Sequence, residues 1–320
     1  MRKPIIILIT ILITILITIF VLASNPMNLF CDQNASDDLA KEYDLSLKDK
    51  QGDVDYYKMR TVYYHGNDLG IIQNRDELIA SFKREVLQID KDAHLVEYTW
   101  KSSQAGHSDK PQEEITEWEA LPFSDGFTYK INFLNPDYFL SSVDIKPIPK
   151  TMIGMRFWVK IMDAHAQFEL LRTEPHGAIS KVKKTGDRIT SPGAQQSGGW
   201  DFPPLITDSH FANGGYETIF TGICLLEGKK CAVLEYINTD STLGCKTQMN
   251  PNMVFDQQGT SNFWGHIYVD LKSGKLIKGD LYEYVVVQVK NPTFFAQPLR
   301  LFERRLVEIW KIQEEEFEKD

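Results

Sequence analysis

The chain has 320 residues, 35 basic and 44 acidic, and a formal net charge of −9 at pH 7. Such an acidic balance excludes a nucleic-acid binder and makes anionic membrane surfaces poor partners. With 18 Phe, 13 Tyr and 6 Trp, the composition suits strands and the walls of an apolar cavity.

The first element is an apolar block over residues 5–22, IIILITILITILITIFVL, directly behind Arg2 and Lys3. Basic residues resist translocation, so the N-terminus is expected to stay inside while the rest is exported. The block is long enough to span a bilayer as a helix, which takes about 20 residues. Thr10, Thr14 and Thr18 fall on one face of that helix, where their hydroxyls can bond to preceding carbonyls. Val21-Leu22-Ala23 offers small or branched residues where a signal peptidase reads, so residues 1–23 are either a cleaved signal peptide or a single-span anchor. Cys31 follows Phe30, too bulky for a lipoprotein signal.

Residues 24–55 read as a polar linker. From Tyr56 the pattern turns to strands. Tyr57, Met59, Thr61 and Tyr63 alternate with other side chains, and Gly66-Asn67-Asp68 reads as a turn. Residues 82–89 and 94–100 form a predicted hairpin around Asp90-Lys91-Asp92, and 102–114 read as a polar loop. The one strong helical pattern runs from about Met152 to Leu171. Met155, Trp158, Ile161, Met162, His165, Phe168 and Leu171 recur there at threes and fours. A long Gly/Pro region over 191–204 carries Trp200 and Phe202 and is expected either to plug the core or to close over a cavity.

From Tyr216 onward strands dominate. Residues 217–226 pair with 230–238 across Glu227-Gly228, which sets Cys224 opposite Cys231. An exported chain meets oxidising conditions, so these two are a disulfide candidate, with a pair of buried thiols as the opposing reading. Residues 264–271 pair with 276–290, Arg304–Ile312 forms a final strand, and 313–320 is an acidic tail read as a solvated end.

The expected architecture is mainly β (α+β): a curled antiparallel sheet or half-open β-barrel with one main helix packed on it, over a single domain spanning 56–312. Strands joined by short turns favour an antiparallel meander over a parallel sheet. Trp158, Phe168, Trp200, Phe202, Trp264 and Trp310 are the candidate cavity residues for an apolar, lipid-like ligand.

No phosphate loop, nucleophile elbow, dinucleotide fingerprint or zinc-protease motif is present, and no cofactor, metal site or catalytic residue is assigned. An envelope hydrolase is the alternative, built from Asp163, His165, Asp201, His210 and Glu217 or from a carboxylate pair that includes Glu235. On a helix, positions i and i+2 point apart, which weighs against Asp163 and His165 acting together. A third reading is a scaffold that holds another envelope protein.

The segment Ile267–Lys278, followed by the strand over 280–289, resembles a hairpin of periplasmic carriers of the lipoprotein-localisation type and of related uncharacterised secreted families. The resemblance covers about two dozen residues. It implies a half-open barrel and apolar-ligand binding, and it assigns no ligand-contact residue. The present chain is longer than those carriers, and its Gly/Pro region has no counterpart in them.

Overall fold

The computed structural model describes residues 40–134, 151–169, 171, 179–191, 201, 206–250 and 253–320. The leader, Cys31, Trp200 and Phe202 lie outside the described residues.

Twelve strands form one antiparallel sheet. They are β1 (Val54–Gly66), β2 (Ile72–Ile89), β3 (His94–Ser108), β4 (Trp118–Ala120), β5 (Thr128–Asn132), β6 (Arg188–Ser191), β7 (Ile206–Ala212), β8 (Gly215–Leu226), β9 (Lys229–Asn250), β10 (Met253–Asp270), β11 (Leu276–Lys290) and β12 (Leu299–Ile312). Helix α1 is Met152–Glu169, and a short α2 is Glu314–Lys319. The strand order is β4-β3-β2-β1-β12-β11-β10-β9-β8-β6, with β5 beside β3 and β7 beside β9. Two meanders, one at each end of the chain, are therefore joined by the pairing of β1 with β12. Among the described residues the path has two ends and does not close.

The predicted hairpins form in register. Phe82 faces Trp100, Cys224 faces Cys231, and Trp264 faces Tyr282. Glu227 and Gly228 both take positive φ, the two-residue turn that matches strand twist. One expected loop is a strand instead, because β3 runs on to Ser108. Ser102 takes a positive φ where the β2–β3 register shifts. Pairing with β2 overrides the poor strand propensity of this polar stretch.

The sheet curls around α1. His165 Nε2 lies 2.7 Å from the hydroxyl of Tyr129 on β5, and Gln167 Nε2 donates to the hydroxyl of Tyr236 on β9 at 3.4 Å. Those helix residues lie within one turn of each other. β3, which carries β5, and β9 are six strand positions apart, about 29 Å across a flat sheet. A helix about 10–12 Å wide touches both only if the sheet bends round it.

Aromatic packing fills the space beneath the helix. Tyr57 packs on Phe82 and Phe168 at ring separations of 5.3 and 5.2 Å, and Trp100 packs on Phe82 and Phe157 at 4.7 and 5.2 Å. Residues 40–53, expected as linker, are built into this domain. Leu45 is fully buried, Lys48 N donates to Ser273 O at 3.0 Å, and buried Asp49 grips buried Arg84 through both carboxylate oxygens. The acidic tail is likewise not a loose end. Phe317 of α2 packs on Tyr56 at 5.0 Å, and Asp320 takes Lys58 at 2.8 Å and Ser81 at 2.5 Å.

Candidate functional site

A cleft of about 440 Å³ opens between the N-terminal turns of α1 and the rim of β1, β2, β3 and β4. Leu78, Ala105, Ile153 and Tyr63 give it apolar walls, and Glu117, Trp118 and Glu119 form its rim, with Glu119 in register with Ala105 and Trp118 36% exposed. Asp76, His107 and Arg156 bring charge to the same space.

Strand alternation explains the placement. Tyr63 on β1, Asp76 on β2 and His107 on β3 are successive register partners, so all three point to the face that α1 covers. Arg156 lies one helical turn into α1. Its Nη1 donates to Asp76 Oδ2, and its guanidinium sits 5.0 Å above the Tyr63 ring. Asp76 Oδ2 also accepts from His65 Nε2 at 3.0 Å, and Oδ1 accepts from His107 Nδ1 at 2.5 Å. One carboxylate thus gathers donors from two strands and the helix.

The electrostatics follow from that crowding. Burial pushes the Asp76 carboxyl upward, but the His65 hydrogen bond and the charges and bonds of Arg156 and His107 hold it well below the usual range. Burial opposes the charge on His65, yet its bonds to Asp76 and Glu303 raise it to about 9. His107 is raised by its bonds to Asp76 and Asp109.

Each imidazole has a carboxylate on both nitrogens: His65 on Asp76 and Glu303, His107 on Asp76 and Asp109. These carboxylates favour the protonated form of both rings, while Arg156 Nη2, 3.1 Å from His65 Nε2, opposes it at His65. Among the described residues, no group of three or more His, Cys, Asp or Glu is placed to hold a metal ion.

The four described cavity candidates divide between the two faces of the sheet. Trp158 is 6% exposed and Phe168 1% exposed, both within the core around α1, and the Arg84 guanidinium lies 5.0 Å over the Phe168 ring. Trp264 and Trp310 are half-buried on the opposite face. Trp264 packs on Tyr282 and Tyr284 at 6.0 and 5.3 Å, and Trp310 stands in register between Lys58 and Lys278. Opposite faces cannot line one cavity.

Cys224 and Cys231 face each other as the hairpin requires but form no disulfide. They sit in a small apolar cluster with Tyr268 and Ile277, where burial, then the neighbouring Cys224, pushes the Cys231 thiol up to about 12. That suppresses the thiolate that exchange requires.

The hydrolase set does not assemble around a common centre. Asp163 is taken by Arg305, His165 by Tyr129, Asp201 by Ser209 and Glu217 by Arg188, while His210 lies beside Gly244. The Asp76 cluster went unread because its members are 11 to 91 residues apart. Only the register, with charged residues at inward positions of predicted strands, reveals it.

No family model and no curated protein matches the chain. Among solved structures it is similar to a candidate exported protein with a YmcC-like fold from Bacteroides fragilis. The identity is 9% over 82% of this chain and 97% of that one, with a TM-score of 0.17. At that score the likeness carries no inference about this chain.

Proposed function

We propose that this is an exported or membrane-tethered protein of the bacterial cell envelope that binds a small apolar, lipid-like ligand without catalysis. The N-terminal apolar block supports the location. The cleft beside α1 supports the activity, because it is a ligand-sized space with apolar walls and a few convergent polar groups. The sequence suggested a ligand under the whole curl of the sheet. Aromatic packing around α1 occupies that volume, so the proposal places the apolar body of the ligand on Ala105, Ile153 and Leu78 and its polar end at His107 and Arg156.

The test is titration with a fluorescent fatty-acyl probe, read by energy transfer from tryptophan. Saturable binding is expected, weakened at least tenfold by Ala105→Phe, which fills the cleft, and with reduced transfer in Trp118→Phe. No saturable binding, or binding indifferent to Ala105→Phe, would overturn the reading.

One observation favours a second reading, a scaffold for another envelope protein. On the outer face Trp264, Tyr282, Tyr284 and Phe302 form a row of touching rings, and Tyr282, Tyr284 and Val286 are exposed. If Tyr284→Arg releases a co-purifying envelope protein and leaves probe binding intact, the scaffold reading gains; if Tyr284→Arg changes neither, it fails.

A further inference from the structure

Strand register lays out the floor of the cleft beside α1. On the face toward the helix, Tyr63, Asp76 and His107 are successive partners across β1, β2 and β3. Leu78, Ala105 and Glu119 are successive partners across β2, β3 and β4. A polar row therefore lies beside an apolar one, and the apolar row ends in a carboxylate. Ile153 closes the space from α1, and Glu117 joins Glu119 at the rim.

The charges of this space do not balance. His65, His107 and Arg156 are paired with Asp76, Asp109 and Glu303 in one set, and Glu77 is held by Arg60 and Arg75. Glu117 and Glu119 are exposed and, among the described residues, take no ion pair or side-chain hydrogen bond. A bare anion entering the cleft meets this uncompensated negative rim, whereas a group that also carries a cation relieves it.

A separate demand comes from the β1 end. Tyr63 lines the cleft and is 5% exposed, and its hydroxyl has no hydrogen-bond partner among the described residues. A buried donor left unmade is costly, so an oxygen acceptor brought by a ligand is favoured there. The Arg156 guanidinium, 5.0 Å over the same ring, places positive charge beside that acceptor.

We propose, resting on the cleft reading above, that the ligand is a zwitterionic phospholipid-type amphiphile. Its ester oxygen takes the Tyr63 hydroxyl, its phosphate lies at Arg156 and His107, and its ammonium group reaches Glu117 and Glu119. The acyl chain lies back along Leu78, Ala105 and Ile153. Ester, phosphate and ammonium follow one another along such a molecule in the order in which β1, β2, β3 and β4 cross the cleft. Three strand steps, about 14 Å, give that head room to extend.

The experiment titrates the full chain with two lysophospholipid probes that share one fluorescent acyl chain. One ends in phosphocholine and the other in bare phosphate, each used below its micelle-forming concentration. The phosphocholine probe is expected to bind about fivefold tighter, the scale of exposed ion pairs. Glu117→Gln combined with Glu119→Gln should abolish that preference, and added salt should shrink it. Tyr63→Phe should weaken both probes to the same degree while folding at least as stably as the parent, since it loses an unpaired donor. Three results would overturn this inference and leave the cleft reading standing: binding of both probes without preference, a preference that survives the double variant, or Tyr63→Phe leaving both affinities unchanged. Binding of neither probe would bring down both.

Discussion

Arg305 Nη1 donates to Asp163 Oδ2 at 2.7 Å, and this bond ties α1 to β12. The same guanidinium donates through Nε to Glu283 Oε2 at 2.6 Å, and Glu283 in turn accepts from Ser261 at 2.5 Å. One guanidinium, 11% exposed, therefore pairs with two buried carboxylates, one on α1 and one on β11. Arg305→Met should destabilise the fold by about 3–5 kcal/mol, since both acids lose their counter-charge. Adding Asp163→Asn and Glu283→Gln to that variant should recover part of the loss. Urea unfolding of the three proteins checks this, and a single variant within about 0.5 kcal/mol of the parent would refute the role given to Arg305.

The Asp76 clasp gives stability a pH window. His65 is raised in the fold, so its contribution is complete below its unfolded value of about 6.5 and is lost as pH rises through about 9. Asp76 is lowered, so its contribution is complete above about 3.9 and is lost as pH falls below that. The clasp's own contribution, read as the difference between the parent and Asp76→Asn, should be flat between those limits, while burial of Asp163, raised to about 6, lowers the stability of both proteins as pH rises through the same range. His65→Gln should flatten the alkaline limb while keeping much of the acid one, and Asp76→Asn should weaken both.

Residues 40–53 should behave as part of the domain. Leu45 is fully buried, and Leu45→Ala should cost about 2–5 kcal/mol. Gly274 takes φ +67°, and a Cβ there would stand 1.9 Å from the Ser46 carbonyl oxygen. Gly274→Ala should therefore push this segment off the β10–β11 turn. Limited proteolysis should show new cuts within 40–53 in that variant and none there in the parent.

Phe317 should anchor the C-terminus. It is buried against Tyr56, with the Lys101 ammonium 5.0 Å over its ring. Phe317→Ala should cost about 3–5 kcal/mol, and truncation after Gln313 at least as much, because Asp320 and its bonds are lost as well. Thermal melts that do not move would mean the tail is only a solvated end.

Trp158 and Phe168 are core residues by packing, so their replacement by Ala should lower stability by about 3–5 kcal/mol. Trp264→Ala and Trp310→Ala, on the half-exposed outer face, should cost less. Parallel unfolding curves for the four variants check the division.

The amino-acid pattern alone determined the elements whose signals are local. The hairpins at 90–92, 227–228 and 272–275 are each fixed by a turn between two period-two arms, and α1 is fixed by an apolar face repeating at threes and fours. Local signals also misled where pairing outweighs propensity, as in the far half of β3 and in residues 40–53. What tertiary structure decided is everything that depends on which distant strands adjoin. The pairing of β1 with β12 brings His65 beside Glu303, the curl sets α1 against both meanders, and together they place Asp76 among His65, His107 and Arg156. The physical reason is range: turn geometry and side-chain periodicity act over a few residues, whereas register between remote strands follows from burying one shared face, which a one-dimensional pattern does not carry.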